Sequence, residues 1–567
     1  MFAELPNTIH DFQTWDWAKI EPYFKALEAR DLTEANVIEW LNDWAKLNFL
    51  ISESYGRLYV GTTVDTTDEE TEKRYNAYME DILQPTNVAA QRLKEKLIAS
   101  GLEPTGYSIE LRNMRTEAEL FREENVPLFT QESKLGTEYD KIIGAQTVQW
   151  EGEERTLAQM RPVYQEADRS KRERAWRMVS ERQLTDRAAL NELWQRFLKL
   201  RTEIAGNADM PDYRAYRWRN FLRFDYTPDD CARFEDAIAE VVVPAATRIY
   251  EKRAQRLGVG AARPWDLDVD PLGRDPLRPY SDIANLNQTT STIFHKVDPQ
   301  LGDYFDIMQH EQLLDLDNHK GKAPGGYCTY FPVAQRPFIF MNAVGMHDDV
   351  QTLLHEGGHA FHSFEASKLP LYQQGEVPIE FAEVASMSME HIAGRYLAKS
   401  EGGFYSEADA ARARVEHLEG DVMFWPYMAI VDAFQQWVYT HPDDAMNPDN
   451  CDTKWGELQD RFQPGIDYTG LGDAKVTGWH RKLHIFQIPF YYVDYGIAQL
   501  GAVQVWRNSL RDQAKAVADY RHALSLGGTK TLPELFSAAG AKFAMDAATL
   551  REAVDLIETT CAQLDPA

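Results

Sequence analysis

Residues 348–365 read Asp348-Asp349-Val350-Gln351-Thr352-Leu353-Leu354-His355-Glu356-Gly357-Gly358-His359-Ala360-Phe361-His362-Ser363-Phe364-Glu365. His355 and His359 are four apart, so on a helix their imidazoles project from one face, one turn apart. Two neutral imidazoles at that spacing can share one divalent ion. Glu356 follows the first histidine, where a carboxylate can take a proton from water activated by such an ion. The alternative for so short a pattern is an ordinary amphipathic helix with surface histidines. Asp348 is the expected N-cap, with Gln351 at the third helical position, which supports a helical placement of the histidines.

Composition narrows the surroundings of this helix. The chain has 567 residues, enough for a large core and more than one lobe. A net charge of −29, with no basic tail or stripe, makes nucleic acid and anionic membrane poor partners. The one basic cluster, Arg169-Ser170-Lys171-Arg172-Glu173-Arg174, is interleaved with acids and reads as the solvated start of a helix. Cys231, Cys328, Cys451 and Cys561 are widely spaced, which argues against a disulfide framework and fits a reducing cytoplasm. No basic–apolar leader opens the sequence, and no apolar run approaches the ~18 residues that span a bilayer. A cytoplasmic protein is expected, with no nucleic-acid or membrane partner and an oligomeric state left open.

Working outward, residues 15–97 read as helical hairpins, with Trp17, Ile20, Tyr23, Phe24 and then Val37, Trp40, Leu41, Trp44 at helical spacing. Ile142 to Trp150, followed by Glu151-Gly152-Glu153, predicts a short hairpin, and Thr156 with Gln159 a capping box. Residues 167–205 return to helix. The polar break from Arg201 to Asp212 suggests a division into an N-terminal helical lobe, 1–205, and a catalytic region, 206–567. Residues 317–327 form a glycine-rich loop whose Gly325, Gly326 and Tyr327 could approach a ligand backbone closely. Pro337 to Asn342 reads as a strand. It could offer its edge to an extended peptide, with Phe338 and Phe340 at the substrate, or be a buried structural strand. Helices are expected over 376–398, 407–440 and 503–525, giving a mainly α chain with a small sheet near the motif.

A catalytic zinc commonly takes three protein ligands. His362 shares the face of His355 but lies about 10 Å along the axis, too far to reach an ion held by His355 and His359. Glu380 and Glu383 on the following helix are better placed, and spacing alone favours neither.

Three ordered blocks resemble the M3 family of zinc metallopeptidases, the oligoendopeptidase F and thimet oligopeptidase group. They are His355 to His362; Phe381-Ala382-Glu383-Val384-Ala385-Ser386, with Ala385 where the family has proline; and His484 to Gly496, rich in tyrosine. The resemblance implies a two-lobed zincin-type helical fold with a deep substrate channel. It also implies one Zn2+ per chain held by His355, His359 and Glu383, with Glu356 as general base. The activity it implies is endopeptidase cleavage of short unstructured peptides. His484, Tyr491 and Tyr495 are then the expected oxyanion donors, phenols being neutral donors at pH 7, and Tyr492 a substrate contact. A metallocarboxypeptidase, or a peptide-binding protein with a purely structural metal, is the alternative.

Overall fold

The computed structural model describes residues 2–6, 8–319, 322–323 and 325–565, and it is mainly α-helical with two small sheets. Two compact units are present, each assembled from three stretches of chain. The first comprises Met1–Phe121, Arg278–Ala411 and Gly501–Phe543; the second comprises Arg122–Leu277, Arg412–Leu500 and Ala544–Ala567. The break after residue 205 lies inside the second unit, where it ends the helix Arg187–Asn207. Among the described residues no helix is long and apolar enough to cross a membrane.

In the first unit the N-terminal helices follow their apolar periodicity. Trp17–Ala29 buries Ile20, Tyr23 and Phe24, and Val37–Val64 buries Val37, Trp40, Leu41 and Trp44. Each such side chain contributes roughly 1.5–3 kcal/mol by leaving water. The Trp40 indole also donates to the Leu27 carbonyl at 2.9 Å, which joins the two helices without an unpaired donor.

The three-stranded sheet also belongs to this unit. Arg336–Ala343 is its central strand, parallel to Leu314–Asp317 on one side and antiparallel to Tyr327–Phe331 on the other. The edge proposed for peptide pairing at residues 337–342 is therefore already occupied on both sides. Phe338 and Phe340 are 9% and 0% exposed and belong to the core rather than to a substrate surface. A continuous apolar run marks a strand covered on both faces, and this strand has that pattern. Glu53 in helix Val37–Val64 accepts the Val333 and Ala334 N–H groups at 2.7 and 2.9 Å, fixing the turn between the two antiparallel strands.

The second unit contains the expected hairpin, Thr147–Trp150 with Glu153–Thr156, closed by Glu151 and Gly152 at φ 54° and 90°. Residues 142–144 instead finish the helix Val126–Gly144. The Thr156–Gln159 capping box is present, opening a 3-10 helix. Glu407–Thr440 is one helix, as expected, whereas Asp512 interrupts the expected helix 503–525 by capping Gln513–Ser525.

The basic cluster at 169–174 differs most from its sequence reading. Arg172 is 1% exposed and, with Arg169, surrounds the fully buried Asp266 carboxylate. Arg172 also donates to the Trp265, Glu166 and Ala167 carbonyls. Interleaved acids predicted solvation, but the partner that draws the cluster inward lies some ninety residues away. Asp266→Ala should therefore leave Arg172 buried without its counter-charge and cost about 3–5 kcal/mol, read as a lowered thermal transition. Burial raises the Asp266 carboxyl, but Arg169, the Arg263 N–H and Arg172 outweigh it, so its pKa is depressed. Its stabilisation is complete above the unfolded carboxylate value near about 4 and is lost as pH falls through the folded value. The same variant should accordingly flatten the acid limb of the stability–pH profile.

Candidate metal centre

The motif helix runs His347–Ala366, starting just before the predicted cap. Asp349 rather than Asp348 secures its entrance, accepting from the Val344 and Met346 N–H groups at 3.0 and 2.7 Å and from the Tyr280 hydroxyl. One carboxylate thereby satisfies donors that the helix start would otherwise leave open. The next long helix, Ile379–Ala393, carries Glu383 and packs directly on the motif helix.

Gly358 permits this approach, and Gly357 admits the Phe294 ring of another helix. A Cβ at Gly358 would fall 2.6 Å from the Ala385 carbonyl oxygen and 2.6 Å from the Ser386 Cα. A Cβ at Gly357 would meet the Phe294 ring at 2.6 Å. The second helix is also fixed from behind: Tyr520 donates to the Ala385 carbonyl at 2.8 Å, and Gly501 lies against Val384. Proline is not needed at 385 to place this helix.

The close approach gathers three donors. His355 Nε2 and His359 Nε2 lie 3.4 and 3.6 Å from Glu383 Oε2, and the three potential ligand atoms are all within 4.8 Å of one another. A tetrahedral ion with bonds of about 2.0–2.2 Å needs donors about 3.3–3.6 Å apart, so the set fits zinc and leaves a fourth position. Glu380, the other candidate, is buried but stands outside this group. Glu383 is itself oriented by the Ser386 hydroxyl, which donates to its Oε2 at 3.0 Å.

Glu390 Oε1 lies 2.7 Å from His355 Nδ1. A hydrogen bond donated by Nδ1–H to this carboxylate would leave Nε2 as the ligating atom when an ion is bound. Sequence reasoning had no means of naming this partner beyond the shared helix face of Glu383 and Glu390. Glu356 is 6% exposed, burial pushes its carboxyl up to about 7, and its Oε2 has no hydrogen-bond partner among the described residues. His362 is buried beside the Phe381 ring, with its pKa driven down to about 3 by burial and by His359. It is a neutral core histidine.

The glycine-rich loop reaches the motif helix. Gly325 and Gly326 are exposed, and a Cβ at Gly326 would touch Thr352, one turn before His355. Lys320, Gly321 and Pro324 lie outside the described residues. Tyr327 stacks on Phe340, and its hydroxyl pairs with Thr63 at 2.5 Å. Cys328 follows, its thiol pushed up by burial and by the Glu356 carboxylate.

His484 and the tyrosines belong to the second unit and form one cluster. The His484 ring lies 5.9, 5.0 and 5.9 Å from those of Tyr491, Tyr492 and Tyr495. Phe490, at φ 68°, precedes them; its N–H donates to Gln435 and its carbonyl accepts from Arg223, which also pairs with buried Asp494. These bonds hold a backbone conformation that a non-glycine residue rarely adopts. Tyr492 is buried, and its hydroxyl accepts from Lys482 at 3.1 Å. That makes it an internal side chain rather than a substrate contact. Tyr491 and Tyr495 are half-buried.

Residues 163–555 match Peptidase family M3. The chain is similar to "Oligoendopeptidase F, chromosomal" of Lactococcus lactis subsp. cremoris, at 24% identity over 283 residues, 48% of this chain and 44% of that one. Oligopeptidase PepF of Bacillus subtilis (strain 168) is 24% identical over 234 residues, 40% of this chain and 33% of that one. The chain thus spans less than half the length of these two curated relatives. A solved structure described as PZ peptidase A with inhibitor 2 covers 100% of both chains at TM-score 0.91 and 27% identity.

Two variants test how the donor set is built. Gly358→Val should force the helices apart and greatly weaken zinc uptake in a titration against a chelating indicator. Glu390→Gln should leave the fold intact and weaken zinc binding about 10–100-fold.

Proposed function

The chain belongs to peptidase family M3, and from that membership we propose that it is a zinc-dependent endopeptidase acting on short unstructured peptides. The observation that supports this most directly is the imidazole–imidazole–carboxylate set of His355, His359 and Glu383, whose carboxylate oxygen lies 3.4 and 3.6 Å from the two imidazole nitrogens, a separation that a tetrahedral ion accommodates. Zinc is the metal best matched to this set, although cobalt or manganese would find the same donors acceptable.

When bound, zinc supplies Lewis-acid polarisation of a scissile carbonyl and lowers the pKa of water. Glu356 takes the proton of the attacking water and delivers it to the leaving amine. Its burial suits both halves of that task, since a carboxyl displaced toward neutrality accepts and returns a proton with little bias. Glu390 keeps the His355 imidazole in one tautomer and orientation. His484, Tyr491 and Tyr495 provide neutral donors for the oxyanion of the tetrahedral intermediate, a role their mutual clustering supports. Gly325, Gly326 and Tyr327 present a loop on which an extended peptide backbone can rest.

Glu356→Gln should retain zinc in full while hydrolysis of an internally quenched peptide falls about 10²–10⁴-fold. Full activity in that variant would overturn the mechanism. Mass analysis of the wild-type products should locate cuts at internal bonds; stepwise loss of C-terminal residues would point instead to a carboxypeptidase. A strong chelator should abolish turnover, and added zinc should restore it.

A further inference from the structure

A second concave site lies in the first unit and shares no residue with the metal centre. It is a cavity of about 310 Å³ between helices Val37–Val64, Gln84–Ser100 and Ser108–Leu120 and the segment Tyr372–Gly375. That volume is at the lower end of small-molecule sites, about 300–1,000 Å³.

Its lining is unusual in charge and in hydrogen bonding. Glu110, Glu117 and Glu376 face it against a single lysine, Lys94, which Glu117 already engages. Glu110 is only 2% exposed, yet neither of its carboxylate oxygens makes a hydrogen bond of ordinary geometry among the described residues, the Gln374 side chain being a polar group that favours its charged form. Asn113, one turn further on the same helix face, likewise has an unpartnered Oδ1. Thr86 Oγ1 and Trp44 Nε1, on the two neighbouring helices, are also buried without partners. Buried polar groups are paired in the great majority of cases, and an unpaired carboxylate is the costliest exception. Several such atoms lining one cavity mark a place where a partner is bound.

The chemistry of that partner follows from the lining. An ammonium group carries three donors, no acceptor and one positive charge. Glu110 Oε1 and Oε2 and Asn113 Oδ1 are three orphaned acceptors on adjacent turns. Tyr55 and Tyr372 add aromatic surface suited to a cation, and Ile51, Leu83 and Met114 an apolar wall suited to a short hydrocarbon tail. We propose that this cavity binds a small primary alkylammonium compound, with its charged group on Glu110 and Asn113 and its tail against Ile51, Leu83 and Met114. Burial already raises the Glu110 carboxyl, and a bound cation would reverse that direction.

The cavity floor gives such binding a route to the rest of the unit. Tyr372–Gly375 lies in the connection between the motif helix and the helix carrying Glu383. Gly527 and Gly528 clamp that connection, Gly528 donating to the Gln374 carbonyl at 2.7 Å.

The test is calorimetric titration of the full zinc-loaded chain with butylammonium chloride at neutral pH, with sodium chloride matching the ionic strength and butan-1-ol as the neutral control. Saturable binding of one butylammonium per chain is expected, at least tenfold weaker in Glu110→Gln and absent for butan-1-ol. Because Glu110→Gln removes an uncompensated buried charge, it should raise the thermal transition while eliminating the further rise that butylammonium causes in the wild type. This keeps the result separate from any failure of the variant to fold. The proposal is overturned if binding does not saturate, if Glu110→Gln binds as the wild type does, or if butan-1-ol binds equally well.

Discussion

The contact between Gly358 and the Ala385–Ser386 backbone governs the arrangement of the candidate metal ligands His355, His359 and Glu383. Two histidines on one helix can be placed by helical periodicity alone, but a third donor from another helix must arrive within a few tenths of an ångström. Any side chain at 358 would collide with the neighbouring backbone, so the distance between the helices is set by the absence of a single carbon atom. Gly501 and the Tyr520 hydroxyl hold the Glu383 helix from behind, and Gly357 seats the motif helix on Phe294. The donor spacing of 3.4 and 3.6 Å is a product of this packing.

Buried charges serve as anchors throughout the chain, each joining segments distant in sequence. Glu53 holds a strand turn, Asp349 the start of the motif helix, Asp266 two arginines, and Asp494 the segment ahead of the tyrosines through Arg223. In each case the carboxylate accepts several hydrogen bonds, which offsets much of the desolvation cost and fixes a local backbone geometry. Glu110 departs from this pattern, being as deeply buried as the others while neither of its oxygens accepts a hydrogen bond of ordinary geometry among the described residues. The contrast within one protein is the strongest reason to read its cavity as a binding site.

Family membership and local geometry carry different kinds of information here. The match to M3 peptidases spans most of the chain and establishes ancestry. The roles proposed for the residues rest on this molecule's own distances: the Glu390 contact at His355, the buried Glu356, and the grouping of His484 with its tyrosines. The helix around Ala385 is held by the Tyr520 hydroxyl on the Ala385 carbonyl and by Gly501 against Val384.

Much was legible in the sequence because it depends on spacing along one element. The helical placement of His355 and His359, the exclusion of His362, the hairpin at Glu151-Gly152 and the long helix at 407–440 all follow from local periodicity and turn chemistry. The strand at 337–342 was also visible, but not its neighbours, so an internal strand could be taken for an edge. Likewise the basic cluster at 169–174 looked solvated because Asp266 is remote in sequence. Between Glu380 and Glu383, spacing alone left the choice open; the structure groups Glu383, not Glu380, with the two histidines, and Glu390 contacts His355. The sequence by itself determined which residues share a face of one helix or strand, since that is fixed by backbone geometry. Only the tertiary structure decided which faces meet and which carboxylates find partners, because those outcomes depend on packing between segments far apart in the chain.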